Sequence, residues 1–311
     1  MRIRPKDFIA IDDKLFFAVV YEYQEDNHVL TFLRYIKDNV GMHKLTTKKA
    51  ERIISEYYPE FQFNSSYTDI VLHGIPINMI KTIYYPEETV KQLLNTKIPD
   101  DKKMDAIDAI KYLQSIGCKT GNIGITGSIM LDAHNECSDI DIVIYGREAF
   151  LKIRSQIKNS LATGELNPLN QAMWKDAYER RDCSLSFNDF YSHEVRKFNK
   201  FISGNSKVDI SAIPNKDEKY KESGPYKKIG KDKILSIVTD DSYAYDFPSR
   251  YLIKHEKIKE VISYTATYTG QARKGERIEA VGFVEQDKEG IYRLLVGTSR
   301  EAKDEYIRVV F

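Results

Sequence analysis

The stretch Gly127-Ser128-Ile129-Met130-Leu131-Asp132-Ala133-His134-Asn135-Glu136-Cys137-Ser138-Asp139-Ile140-Asp141-Ile142 decides how this chain is read. Ile140, Ile142 and Ile144 alternate with Asp139 and Asp141, the two-residue period of a strand. Both aspartates therefore face one way, with carboxylates about 7 Å apart. Like charges so placed are unfavourable unless a cation neutralises them. Hard oxygen ligands of this kind suit Mg²⁺, which prefers one or two carboxylates, waters and substrate phosphates to an all-protein cage. Separated from Asp139 by ten residues, Gly127-Ser128 reads as a turn out of the strand Asn122 to Thr126 and into a short segment. Glycine lets the backbone approach a ligand, and the N–H groups of such a turn, with a serine hydroxyl, form an anion site. Phosphate on one side and metal on the other describe a nucleoside triphosphate site. Two metals there would activate an attacking hydroxyl and stabilise leaving pyrophosphate.

Working outward, Pro99-Asp100-Asp101 caps an expected helix from about Lys102 to Ser115, with Ala106, Ile107, Ile110 and Leu113 on one face and Gly117 at its end. After the aspartates come expected helices at Arg147 to Ile157, Pro168 to Arg180 and Phe190 to Lys200, then a strand at Lys207 to Ile213. Upstream, Phe16 to Tyr23 and Val29 to Ile36 read as a hairpin around Gln24 to Asn27, and Lys48 to Tyr58 as a helix stopped by Pro59. Downstream of Tyr251, strand-like runs at 262–269, 277–285, 291–298 and 306–311 alternate with glycine turns.

These residues resemble the DNA polymerase beta-like nucleotidyltransferase superfamily, whose signature is a Gly-Ser pair followed after about ten residues by an Asp-hydrophobic-Asp strand. The likeness extends over about residues 100–240. More loosely, the whole arrangement looks like archaeal predicted nucleotidyltransferases. The resemblance implies that Ser128 contacts the triphosphate, that Asp139 and Asp141 hold the metals, and that a third carboxylate arrives on a later strand. Asp209, in Lys207-Val208-Asp209-Ile210, is the candidate for that position, sharing the catalytic metal and accepting the acceptor hydroxyl's proton. Asp182, beside Arg180 and Arg181, competes for it but reads as a solvated helix end. The cofactor implied is a pair of Mg²⁺ ions, with Mn²⁺ as their substitute.

The expected fold class is α/β (α+β) and multidomain: an N-terminal α+β domain over 1–97, a mixed-sheet nucleotidyltransferase core over 98–248, and a small β-barrel or β-sandwich over 249–311. Lys+Arg 47 against Asp+Glu 46 leaves a net charge of +1, so nucleic-acid attraction has to come from a local patch. Arg196 to Lys233 is such a stretch, with eleven Lys/Arg against five Asp/Glu. Within it Lys207 is expected to neutralise the triphosphate, and Lys227, Lys228 and Lys231 an RNA acceptor, with a solvated lysine-rich loop as the bland reading. Trp174 and Tyr178 read as packing residues, and His134 as an exposed residue within reach of substrate.

No apolar run approaches the ~20 residues of a membrane helix. Cys118, Cys137 and Cys183 lack CxxC spacing and read as packing residues in a reducing, cytoplasmic setting. The function expected is Mg²⁺-dependent transfer of a nucleoside monophosphate, from ATP or another nucleoside triphosphate, to an acceptor hydroxyl, with RNA among the acceptors. The alternative is a non-catalytic nucleotide- or RNA-binding module on the same fold. A two-metal nuclease is disfavoured, because hydrolysis of a phosphodiester does not call for a triphosphate cradle.

Overall fold

A computed structural model describes residues 2–221, 224–298 and 302–310. The chain is a mixed α+β protein with three sheets and, among the described residues, six α-helices. It divides into two compact units, Met1–Ser65 with Ile70–Tyr145 and Ile202–Ser211, and Ser66–Asp69 with Gly146–Phe201 and Ala212–Phe311. The first unit thus joins the N-terminal residues to the strands that carry the aspartates.

The first unit opens with β1 (Phe8–Ala10), β2 (Leu15–Glu25), β3 (His28–Lys37) and β4 (Met42–Lys44), followed by α1 (Thr47–Tyr57), β5 (Gln62–Ser65), β6 (Ile70–Pro76) and β7 (Thr82–Tyr84). The sheet order is β5-β6-β3-β2-β1-β7, with β4 on β3. The β2–β3 turn is tighter than the expected four-residue loop. Asp26 and Asn27 alone make it, at φ 48° and 61°, because both side chains tolerate the left-handed region. Thr46 caps α1 by accepting from the Lys49 N–H.

Both faces of this sheet are covered. On one, Ile9, Phe17 and Leu33 pack with Ala50 and Ile54 of α1. On the other, Phe8, Ala10, Phe16 and Tyr35 pack with Met130 and Leu131, the residues that follow the Gly-Ser turn. Next come α2 (Pro86–Leu94) and α3 (Asp101–Ser115), then β8 (Ile123–Thr126) and β9 (Ile140–Tyr145). With β10 (Lys200–Ser203) and β11 (Ser206–Ile213) these form a four-stranded sheet in the order β10-β11-β9-β8. Asp100 caps α3 through the Lys103 N–H, as expected from the sequence.

A buried acid sits at the edge of the first sheet. Asp7 accepts the Arg4 N–H at 2.8 Å, while the Arg4 guanidinium binds Glu87, which also accepts from the Tyr145 hydroxyl at 2.9 Å. Burial pushes the Asp7 carboxyl from its ordinary 3.8 up to about 7, against the pull of Arg4. The folded state thus holds this proton more tightly than the unfolded chain. The associated stability is complete below pH 3.8 and is lost as pH rises through about 7. The melting temperature of the native chain should fall across that window more steeply than that of Asp7→Asn, and parallel curves for the two would remove Asp7 as the source.

The second unit holds α4 (Arg147–Thr163), α5 (Gln171–Arg181), α6 (Phe187–Glu194) and the strands β12 (Tyr226–Asp240), β13 (Ser249–Ile253), β14 (Ile258–Ser263), β15 (Arg277–Asp287), β16 (Tyr292–Val296) and β17 (Tyr306–Val309). Two expectations are corrected here. The helix read over 190–200 ends at Glu194; Phe198 takes φ 51° and the chain re-forms as β10. The lysine-rich run at 226–240 is a strand, β12, whose polar face disguised the period, and its pairing with β15 over Tyr226 to Ile237 holds it extended. β12 pairs both β13 and β15, so the path β12-β13-β14-β16-β15 returns to its first strand. Among the described residues, no helix is long and apolar enough to cross a membrane.

Trp174 and Tyr178 are packing residues, as expected: Trp174 is buried edge-on to Tyr191, and the Tyr178 hydroxyl donates to the Leu185 carbonyl at 2.8 Å. Cys118 is buried, which pushes its thiol up to about 11, but Cys137 is exposed and does not pack as expected.

Candidate active site

The site is built from β8, β9 and β11 and the turn that follows β8. β8 and β9 run antiparallel with Thr126 opposite Asp141, so the chain leaves β8 at Gly127 beside the Asp141 carboxylate. Gly127 has φ +73°, and a Cβ there would meet Asp141 Oδ2 at 2.7 Å. Glycine is required twice over, by conformation and by proximity. Beyond it comes the expected short segment. It makes successive tight turns, with the Ala133 N–H donating to the Ser128 carbonyl at 2.8 Å and the Asp132 N–H to the Ile129 carbonyl at 3.2 Å. Ser128 is buried there.

Asp209 lies on β11, next to β9 in the sheet. Val208, Ile210 and Ala212 are buried on one face of β11, which leaves Lys207, Asp209 and Ser211 on the other. The Ser211 hydroxyl donates to the Ile142 carbonyl at 3.2 Å, tying the two strands together at this level. Asp139, immediately before β9, is bridged to β11 by Lys207, whose Nζ lies 3.1 Å from Asp139 Oδ2. Lys207, expected at the triphosphate, is thus an ion-pair partner of a candidate metal ligand.

Electrostatics gathers the three acids around Asp141. Burial pushes its carboxyl up, the charge of Asp209 adds to this, and Asp139 adds further; Lys44 and Lys6 pull it back. The sequence reading passed over both lysines, because they lie on and beside the N-terminal sheet. Asp182, the competing carboxylate, belongs to the second unit, where it ends α5 at φ 46° and lies 3.4 Å from Lys303.

The linker between bend and aspartates is pinned to α3. His134 Nε2 lies 3.0 Å from Asp100 Oδ2, and Lys103 Nζ lies 2.7 Å from Asp132. Buried Lys102 donates to the Ser138 carbonyl at 2.8 Å and to Ser206 Oγ at 2.7 Å, and Ser206 in turn donates to Asp105 at 2.6 Å. These bonds hold the start of β9 against the start of β11, so α3 positions Asp139 and Asp209 without facing the site. A lysine and an aspartate one turn apart on an amphipathic helix look like surface charges in sequence, which is why this network was not legible there.

Among the described residues, no three His, Cys, Asp or Glu side chains are close enough to form a metal cage unaided. The donor set still fits Mg²⁺: hard carboxylate oxygens on one face, a raised Asp141 carboxyl whose repulsion a cation would relieve, and a glycine bend alongside for the remaining phosphate ligands.

The basic stretch at 196–233 does not gather into one patch. Arg196 pairs with Glu276, Lys197 and Lys200 share buried Glu194, Lys207 holds Asp139, Lys228 donates to the Asp69 carbonyl, and Lys233 lies 2.9 Å from Glu279. Six of its eleven cations thus have partners within the protein.

The chain is 32% identical, over 341 aligned positions that cover 99% of each protein, to the uncharacterized protein MJ1086 of Methanocaldococcus jannaschii. It belongs to the family of that archaeal protein. No family model and no solved structure matches the chain.

Proposed function

We propose that this protein is a Mg²⁺-dependent nucleotidyltransferase that moves a nucleoside monophosphate from a nucleoside triphosphate to an acceptor hydroxyl, releasing pyrophosphate. The observation that carries the reading is the contact of the Gly127 bend with the Asp141 carboxylate, together with the like charges of Asp139 and Asp209 around that group. In this reading the core at 98–248 is the nucleotidyltransferase fold. The ring of pairings in the C-terminal sheet supports a small barrel there.

Asp139, Asp141 and Asp209 would hold the metal, which when bound neutralises phosphate charge and lowers the pKa of the attacking hydroxyl. Gly127 and Ser128 receive the triphosphate through backbone N–H groups and the serine hydroxyl. Asp209, on the strand beside β9, takes the proton of the acceptor hydroxyl as it attacks the α-phosphate. The fixed β8–β9 register holds bend and acids at one spacing, so the reacting groups are positioned before substrate arrives.

One observation favours the second reading, a nucleotide- or RNA-binding module without turnover. The Lys207–Asp139 ion pair already satisfies one of the candidate ligands. Catalysis requires Lys207 to release Asp139 to the metal when the nucleotide enters.

Incubating the purified chain with each labelled nucleoside triphosphate, Mg²⁺ and either total RNA or small-molecule extract separates the two. Transfer of label with stoichiometric pyrophosphate is expected, and the labelled fraction identifies the acceptor. Saturable triphosphate binding with no pyrophosphate under any condition would establish the module instead.

A further inference from the structure

A tight turn near the N-terminus, tied by its backbone to Thr126 of β8, carries a lysine at a position where lysine is the wrong residue for the backbone. Arg4-Pro5-Lys6-Asp7 closes with the Asp7 N–H donating to the Arg4 carbonyl at 3.1 Å. Proline fills the second position, and the third, Lys6, has φ +76°. Turns of this kind take glycine or asparagine at the third position, because a Cβ is strained there. A long charged side chain held in such a conformation points to a role for the side chain itself.

Its location gives the role. The Lys6 carbonyl accepts the Thr126 hydroxyl at 2.7 Å, and Thr126 is both the register partner of Asp141 and the residue before the Gly127-Ser128 bend. The turn is also fastened to β2, with Lys6 N–H donating to Val19 at 3.2 Å and Val19 N–H donating to Asp7 at 2.9 Å. Lys44 comes from the same sheet. It is the register partner of Tyr35, which packs in the cluster containing Met130 and Leu131 just past the bend. Tyr35 itself feels Asp141: burial and the Asp141 charge push its phenol up to about 12. The two lysines offset the charge of Asp141.

We propose that Lys6 and Lys44, both contributed by the N-terminal part of the first unit, are the cations that bind the β- and γ-phosphates of the triphosphate and the pyrophosphate that leaves. The proposal rests on the nucleotidyltransferase reading and assigns the N-terminal sheet a place in the substrate site. Its face toward Met130 and Leu131 is then the support that holds the phosphate-binding lysines over the Gly-Ser bend.

Inorganic tripolyphosphate, ATP and adenosine serve as probes in calorimetric titrations with Mg²⁺, alongside melting curves. Lys6→Gly should melt no lower than the native chain, since glycine adopts the turn without strain. Its dissociation constants for tripolyphosphate and ATP should rise at least tenfold, with adenosine binding unchanged. Lys6→Arg should keep most of the affinity, and Lys44→Gln, which does not alter the turn, should lose several-fold. Affinities within twofold of native for both Lys6→Gly and Lys44→Gln would overturn the assignment while leaving the nucleotidyltransferase reading intact. A native chain that binds neither tripolyphosphate nor ATP would overturn both.

Discussion

Asp141→Asn is expected to lower nucleotide transfer by about 10³-fold or more while raising the melting temperature of the chain without ligand. The loss follows from removing a charged ligand whose bound cation stabilises several kcal/mol of transition-state charge, at 1.36 kcal/mol for each factor of ten. The gain follows from the raised carboxyl, which pays for burial and for the proximity of Asp209 and Asp139. Because the folded pKa lies above the unfolded one, this carboxyl stabilises the fold only at low pH, and that contribution disappears as pH rises through its folded value. Asparagine keeps the shape and removes the penalty, so the difference in melting temperature should grow from acid to neutral pH. Mg²⁺ with a triphosphate should stabilise the native chain and not the variant. Pyrophosphate release and melting curves on both proteins check the pair of effects; unchanged turnover, or a variant less stable at every pH, would sink the assignment of Asp141 as a ligand held at a cost.

Gly127→Ala should lower activity by a different route. Alanine at φ +73° costs about 1–2 kcal/mol in the left-handed region, and its Cβ would lie 2.7 Å from Asp141 Oδ2. The carboxylate or the bend has to move. A shift of about 1 Å in a reacting group costs on the order of 10²-fold in rate. The expected variant is therefore destabilised by about 1–3 kcal/mol and at least about 10²-fold less active. Asp141→Ala separates the two contributions, because the clash is absent in that background and only the backbone strain remains. Denaturation of the single and double variants measures it. Equal costs of Gly127→Ala with and without the Asp141 carboxylate would show that the bend and the acid are independent.

The elements around the motif were legible because their signals are local. Asp100 is an N-cap whose oxygen meets the Lys103 N–H three residues on, and Ile140, Ile142 and Ile144 bury one face of β9. Both follow from backbone geometry over a few residues. β12 was missed for a complementary reason. Nine of its fifteen residues are exposed, Lys227, Lys231 and Lys233 among them, so its extended form depends on β15, some 50 residues away in sequence. The helix expected through Lys200 failed where the buried Glu194 draws both Lys197 and Lys200 to itself, a preference that appears only once all three are packed together.

The same division holds at the candidate site. Spacing within the chain determined that a Gly-Ser bend precedes two aspartates on one face of a strand, since alternation and turn preference act over neighbouring residues. The sequence also offered Asp209 as the later acid, on its own strand-like run, but tertiary structure alone laid that strand, β11, against β9. It also decided that Lys207 turns to Asp139, and that Lys6 and Lys44, more than 80 residues upstream, set the charge around Asp141. Coulomb interactions depend on distance through space, and a one-dimensional pattern carries no record of which distant charges the fold brings within reach.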